Sequence, residues 1–402
     1  MLDFEFCSPT RFIFGREKEN DVGRWAKTCG GTRVLIVYGG GSVIRSGLLE
    51  RVTRSLEAAG IWSAQLGGVQ PNPRDTLVYA GIERCRQTRC DLVLGLGGGS
   101  ALDTAKAIAI GAVYDGDFWD FYGRGRKPQG RLPLGTIVTL PATGSEGSNS
   151  SVIVHEADGR SEKTKRGLRS DLNRPDFSII NPELTFSLPV WQLACGISDI
   201  LSHILERYFT QTAQVGLTDR LCEAVIRSVI ENAPATLAAP PDYEARANLM
   251  WSSMIAHNGS LGVGRQEDWS VHALEHELSG RYDTAHGAGL AAVYPAWLQY
   301  MLLRAPGKIA QLANRVFDVP LDPAKPESVA REGIRRLAGF YRSIGLPVSL
   351  GELNVNKADI PAMAARTKRN PDGTCGYYLP LHDEDIMAIY ELAYDWSTSQ
   401  LD

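Results

Sequence analysis

Leu92-Val-Leu-Gly-Leu-Gly-Gly-Gly-Ser100, continued by Ala101-Leu-Asp-Thr-Ala-Lys106, reads as a buried strand, a glycine turn and the start of a helix. Three successive glycines, Gly97, Gly98 and Gly99, let backbone N–H groups approach a diphosphate closely. Ser100 is placed to cap a helix whose N-terminus carries positive dipole character. A tight turn needing positive φ explains one such glycine but not three. The run matches neither GxGxxG nor a P-loop, which would end in Gly-Lys-Ser/Thr.

Outward from that run, short β-rich segments alternate with helical patterns. Val34-Leu-Ile-Val-Tyr38 precedes an amphipathic stretch from Leu48 to Ala59, and Leu92 to Leu96 precedes an apolar helix from Ala101 to Ala112. This alternation predicts a parallel α/β sheet. A further strand is expected at Thr136 to Leu140, and Ser151 to His155 points to an additional strand or hairpin. Beyond about Leu188 the strand-like runs give way to long 3.6-period patterns, as in Gln192 to Thr210 and Thr218 to Leu237. Pro175, Pro182 and Pro189 punctuate the crossing, so two domains are expected, 1–188 and 189–402. Gly123 to Arg131, rich in Gly, Arg and Lys, reads as a solvated surface loop.

Bulk properties narrow the function classes. Of 402 residues, 44% are hydrophobic and 22% charged, which suits a globular protein with a real core. A net charge of −4 supplies no field that argues for nucleic acid or an anionic membrane, and both are set aside as partners. The seven cysteines are odd in number and scattered, as expected of reduced thiols. Met1-Leu-Asp-Phe-Glu-Phe6 lacks a basic segment ahead of an apolar one, and the apolar runs fall far short of a membrane span. A cytoplasmic protein is therefore expected.

A second glycine run, Tyr38-Gly39-Gly40-Gly41-Ser42, also follows a strand. At that place a dinucleotide fold commonly carries an acid that holds the adenosine ribose hydroxyls. Gly39 leaves room instead and removes a charge that would repel a 2′-phosphate, with Ser42 and Arg45 close in sequence; this favours NADP(H) over NAD(H). Thr139-Leu-Pro-Ala-Thr-Gly-Ser-Glu146 sets hydroxyls just beyond a predicted strand, where ligands of open α/β sheets bind. Thr139, Thr143 and Ser145 are candidate cofactor contacts, although such a loop is also the default link between strands.

Four of the seven histidines fall in two short neighbourhoods of the helical half. Asp199 and His203 stand at i and i+4, on one face of a helix, and His272 and His276 repeat the spacing. His286 follows beside Gly287, a residue that suggests a helix end or turn. Together these residues can build a site of one Asp and three His. Such nitrogen and oxygen ligands suit Zn²⁺ or Fe²⁺ without distinguishing them. A metal there would polarise a carbonyl or stabilise the alkoxide that hydride transfer makes or consumes. Any one of these histidines alone is more simply a hydrogen-bonded core or surface imidazole. His155, His257 and His382 lack such company and read as ordinary residues.

With these segments assembled, the chain resembles the iron-containing (group III) alcohol dehydrogenases, and among them the NADPH-dependent butanol dehydrogenase or broad aldehyde reductase branch. The likeness spans nearly the whole length. It rests on Pro9-Thr-Arg-Phe-Ile-Phe-Gly15, Gly97 to Lys106, Thr139 to Glu146, Asp199 to His203, and His272 through Gly289. It implies that Asp199, His203, His272 and His286 ligate one divalent metal, while His276 stays off it, beside the nicotinamide and substrate, as the catalytic imidazole. It also implies a diphosphate on Gly97, Gly98, Gly99 and Ser100, with Asp103, Thr139, Thr143 and Ser145 around the rest of the cofactor. Gly39, Gly40, Gly41 and Ser42 resemble the NADP-preferring loop, and Lys165, rather than Lys163, matches a lysine of the family pattern.

The implied fold is an N-terminal Rossmann-like parallel-sheet domain over 1–188 and a C-terminal helical, metal-binding domain over 189–402, dehydroquinate synthase-like. Cofactor and metal would lie in the cleft between, in a homodimer. The implied reaction is hydride transfer between NADP(H) and small primary alcohols or aldehydes. Rivals on the same fold are an NAD-dependent polyol dehydrogenase and a sugar-phosphate lyase of the dehydroquinate synthase type. The lyase would call on basic residues such as Arg265 and Arg281, which read more simply as surface or salt-bridge arginines. A cofactor-binding module without catalysis is the rival from another class, and turnover of any small aldehyde would dismiss it.

Overall fold

The computed structural model describes residues 1–156 and 163–401. Its parallel sheet comprises β1 (Arg11–Phe14), β2 (Arg33–Tyr38), β3 (Trp62–Leu66), β4 (Leu92–Gly97) and β5 (Leu134–Val138). An antiparallel pair, β6 (Ser150–His155) and β7 (Thr164–Arg169), precedes the sixth member, β8 (Phe177–Ile180). The order across the sheet is β1-β8-β5-β4-β2-β3. Helices α1 (Val22–Thr28), α2 (Ser42–Arg45), α3 (Leu48–Ala58), α4 (Asp75–Thr88), α5 (Gly99–Gly111) and α6 (Trp119–Gly123) accompany it.

Both faces of the central strands are dry, which is why their sequences are continuous apolar runs rather than alternating ones. Leu35, Val37 and Val93 enter one core with Val78 and Ile82 of α4 and Ile108 of α5. Val34, Ile36, Leu92 and Leu94 enter the opposite core, against Val52 and Leu56 of α3. α5 is buried along nearly its whole length: its second half, Ala107 to Ile110, is apolar, and the polar groups of its first half, Asp103 and Lys106, are hydrogen-bonded inside the protein. Strand β2 has β3 on one side and β4 on the other, so the order in which the parallel strands are added reverses between β2 and β4. That reversal opens a crevice at the carboxyl ends of those strands.

The rest is helical: α7 (Val190–Tyr208), α8 (Gly216–Leu237), α9 (Tyr243–His257), α10 (Ser270–Tyr282), α11 (His286–Leu302), α12 (Pro306–Phe317), α13 (Pro326–Ser343), α14 (Ile360–Arg366) and α15 (Asp383–Tyr394). The α/β plus helical architecture is the one expected. The chain forms two compact units, one of Cys7–Leu188 with Ser253–Gly259, the other of Met1–Phe6, Pro189–Ser252 and Ser260–Asp402. Met1–Phe6 joins the helical unit because the terminal ammonium donates to Ala213 O (2.8 Å) and Leu2 N–H to Gly264 O (2.8 Å). Ser253–Gly259 joins the sheet unit because Arg174 Nη1 donates to Asn258 O at 2.8 Å. Neither exchange has a local sequence signal.

Strands β1, β3 and β8 are short, and β3 (Trp-Ser-Ala-Gln-Leu) is an edge strand with polar positions, so their patterns are faint. The Gly123 to Arg131 segment is largely exposed, but Arg131 is more than a solvated charge. Its guanidinium grips the Asp176 carboxylate at 2.7 and 2.9 Å. Among the described residues, no helix is long and apolar enough to cross a membrane.

Candidate active site

At the carboxyl end of β4, Gly97 adopts a φ of +150° and Gly98 leads the chain into α5. A Cβ at Gly99 would lie 2.4 Å from Thr143 Cγ2 and 2.5 Å from Thr143 Oγ1. The absent side chain is thus what lets the Thr139 to Glu146 loop close on the helix start. Ser100 does not cap the helix as expected. The cap position is Gly98, and Ser100 lies within the first turn, its carbonyl accepting Thr104 Oγ1 at 2.8 Å. The first N–H groups of α5 have no carbonyl one turn back, so this end of the helix can accept an anion.

Asp103 is engaged within the protein: Oδ1 accepts Ser145 Oγ (2.6 Å) and Oδ2 accepts Val152 N–H (2.9 Å). It ties α5 to the serine loop and to β6, and burial raises its pKa. One turn on, the buried Lys106 donates to Ser148 O and Oγ (both 3.2 Å) and to Ser150 O (2.8 Å), and burial pushes its pKa down to about 8. Lys165 is also buried, its Nζ donating to Asn72 Oδ1 at 3.0 Å, whereas Lys163 pairs with Glu156 at 3.3 Å.

Gly39, Gly40 and Gly41 lie at the carboxyl end of β2, where α2 begins at Ser42. Arg45 Nη1 would stand 2.4 Å from a Cβ on Gly41, so its guanidinium lies over this loop. Ser42 and Thr139 line a cleft of about 440 Å³ together with Asn181, Leu184, Phe186 and Leu188. Those last four were missed because they belong to chain returning after β8, which no motif announces. His257, expected to be an ordinary residue, places Nδ1 2.7 Å from Thr143 O, directly behind the loop. His155 pairs with the buried Asp75 and stacks on Trp119, and His382 starts α15 with a capping box.

In the helical unit, α7 presents Asp199, His203 and Glu206 at i, i+4 and i+7, all at most 4% exposed. Three imidazole nitrogens converge on Asp199 Oδ1: His203 Nδ1 at 3.5 Å, His286 Nε2 at 3.7 Å and His272 Nε2 at 3.9 Å. Donor atoms roughly 2.1 Å from a tetrahedral cation stand about 3.4 Å apart, so these spacings fit one ion after small shifts. Ligand atoms of Asp199, His272 and His286 lie mutually within 4.8 Å; His203 reaches Asp199 but stands outside that set. His276 is adjacent, its ring centroid 5.7 Å from that of His286 and 6.5 Å from that of His272. Gly287 marks the first turn of α11, where a Cβ would meet Cys195 O at 1.9 Å, so only glycine lets His286 come this close to α7.

Two carboxylates behind the imidazoles were missed. Glu206 Oε1 accepts His272 Nδ1 at 2.9 Å, and Glu275 Oε2 faces His286 Nδ1. Their signal was available, since Glu206 extends the Asp199 and His203 face by three residues and Glu275 precedes His276. Burial raises the pKa of Glu206, and the N–H groups of His272 and Trp269 that it accepts pull it back down. Arg265 is one of the expected salt-bridge arginines, in a buried setting: it pairs with Asp219 at 3.0 Å. Arg281 forms the expected salt bridge, to Asp359 at 2.7 Å.

Residues 9–182 match the iron-containing alcohol dehydrogenase family, and residues 193–394 match the C-terminal region of the Fe-containing alcohol dehydrogenase family. The NADH-dependent butanol dehydrogenase A of Clostridium acetobutylicum is 40% identical over 98% of this chain and 100% of its own length. The NADPH-dependent aldehyde reductase YqhD of Escherichia coli is 32% identical, again over 98% and 100%. Among solved structures, the NADH-dependent butanol dehydrogenase A from Thermotoga maritima aligns with a TM-score of 0.93 and 36% identity, over 98% of this chain and 99% of that one. With matches to both halves and relatives aligned end to end, this chain belongs to the iron-containing alcohol dehydrogenase family.

Proposed function

We propose that the chain interconverts small aldehydes and primary alcohols with NADP(H) as hydride carrier and one divalent metal, Fe²⁺ or Zn²⁺, held by Asp199, His203, His272 and His286. Its family makes it an NAD(P)-dependent alcohol dehydrogenase. The observation that carries the reading is the convergence of three imidazole nitrogens within 3.5–3.9 Å of Asp199 Oδ1. When bound, the cation supplies Lewis acidity that polarises a carbonyl or steadies an alkoxide, worth several kcal/mol, and the nicotinamide supplies or takes the hydride.

The chain's own residues do the rest. Gly97, Gly98, Gly99 and Ser100 receive the diphosphate on backbone N–H groups, and Asp103 holds the Ser145 loop against that helix start. Thr139, Thr143 and Lys165 complete the cofactor's surroundings, which makes Cys7–Leu188 the cofactor unit and the helical unit the metal carrier. His276, half-buried, passes the proton to or from the substrate oxygen, a task for which imidazole is the usual side chain. The preference for NADP(H) rests on the loop after β2, where Gly39 brings no carboxylate and the Arg45 guanidinium covers Gly41. The relatives' names are divided on this point: the butanol dehydrogenase carries NADH and the aldehyde reductase NADPH.

The test is oxidation of NADPH and of NADH with butanal, on protein stripped by chelator and then restored separately with Zn²⁺ and Fe²⁺. Activity should return with metal and favour NADPH. Inactivity with either ion would overturn the metal-dependent reading, and a preference for NADH would overturn the cofactor assignment.

A further inference from the structure

We propose that Glu206 and Glu275 are positioning residues that decide which nitrogen His272 and His286 present to the metal, an inference that rests on the metal site proposed above. Glu206 leaves α7 one turn beyond His203 and reaches α10. Its Oε1 accepts both the backbone N–H (2.8 Å) and the ring Nδ1 (2.9 Å) of His272, while Oε2 accepts Trp269 N–H at 2.8 Å. Glu275 leaves α10 and reaches α11, with Oε2 on His286 Nδ1 and Oε1 on the Ser279 hydroxyl. The two carboxyls are 1% and 0% exposed.

Because every one of these oxygens already accepts an N–H or O–H, the imidazoles donate through Nδ1 and keep the lone pair on Nε2. Nε2 is the atom turned toward Asp199 Oδ1, at 3.9 Å in His272 and 3.7 Å in His286. The opposite tautomer would aim an N–H at the ion and could not ligate it. The carboxylates also fix ring rotation, and Glu275 has little freedom to retreat: a Cβ on Gly289 would stand 2.8 Å from its Cγ, so α11 packs directly on it. Glu275, His276 and His286 also lie within 4.8 Å of one another, but a second ion there would have to displace the Glu275 to His286 hydrogen bond.

The experiment measures Zn²⁺ affinity of the full chain by competition with a chromophoric chelator. It also records the visible spectrum of the Co²⁺-substituted protein, for wild type, Glu206→Gln and Glu275→Gln. Each substitution keeps the shape and removes the charge. Zn²⁺ binding should weaken roughly 10- to 100-fold, the range known for such outer partners of metal-bound histidines. The Co²⁺ bands should shift, which loss of stability alone would not produce. If Glu206→Gln does not fold, having lost an N–H acceptor at the start of α10, Glu275→Gln still decides the matter because it caps no helix. Folded variants with wild-type Zn²⁺ affinity and an unchanged Co²⁺ spectrum would overturn the positioning role and leave the four ligands standing. A wild-type protein that holds no Zn²⁺ would overturn both.

Discussion

At Gly39 an added Cβ would meet only Val69 O, at 3.5 Å, and the backbone there is not among the positive-φ glycines. An aspartate is therefore sterically tolerated, and its carboxylate would stand where a dinucleotide fold reads the adenosine ribose. Gly39→Asp is expected to lower kcat/KM for NADPH about 100-fold, because like charges brought together cost several kcal/mol, and to spare NADH. Steady-state kinetics with both cofactors checks this, and equal losses for the two would sink the charge argument. Gly99 is the contrasting case, with no room for any side chain beside Thr143. Both glycines were visible as a pattern, but the different reasons for them were not. One faces open space and the other a threonine from a loop some forty residues on.

At the scale of elements, the loop after β5 depends on Arg174. This side chain, 5% exposed, donates through Nη1 to Gly147 O (2.7 Å) and Asn258 O (2.8 Å), and so pins the Thr139 to Gly147 segment against Ser253–Gly259. Arg174→Ala would remove the Arg174 donor from the buried Gly147 carbonyl, at about 1–3 kcal/mol, and from the half-buried Asn258 carbonyl. The variant should melt several degrees lower and bind cofactor more weakly; a lower melting point with unchanged cofactor affinity would confine Arg174 to stability. Helices α3, α7 and α8 were legible because amphipathic periodicity acts within a few turns. β5 was expected at Thr136 to Leu140 and occupies Leu134–Val138, since pairing with Val93 and its neighbours in β4 sets its start. Edge strands β1 and β3 were silent because one neighbour suffices to hold them.

Over the whole molecule, buried charges make stability depend on pH. Glu146 is 2% exposed, and burial pushes its pKa up to about 7 from 4.5. The folded chain thus holds a proton that the unfolded chain has lost between those values. The contribution is complete at low pH and disappears as pH rises through about 7. Lys106 acts in the opposite sense: with its pKa pushed down to about 8 from 10.5, its penalty persists below 8 and is relieved above it. Glu146→Gln should therefore leave stability nearly unchanged near pH 5 and raise it near pH 8, by about 3 kcal/mol at 1.36 kcal/mol per pKa unit. Thermal melts at the two pH values test this; equal shifts at both would contradict it.

The strand, glycine turn and helix at Leu92 to Lys106, the switch to helical texture near Leu188, and the i,i+4 pairs at Asp199 and His272 all followed from the sequence. Each is a local pattern spanning at most a few turns, which periodicity and residue type report directly. Tertiary structure alone decided that His203, His272 and His286 meet at one oxygen of Asp199. It also decided that Glu206 and Glu275 stand behind two of those rings, and that Thr143 closes on Gly99 with His257 at its back. Such contacts join chain segments far apart in sequence, and they are selected by packing between elements, which no local repeat encodes.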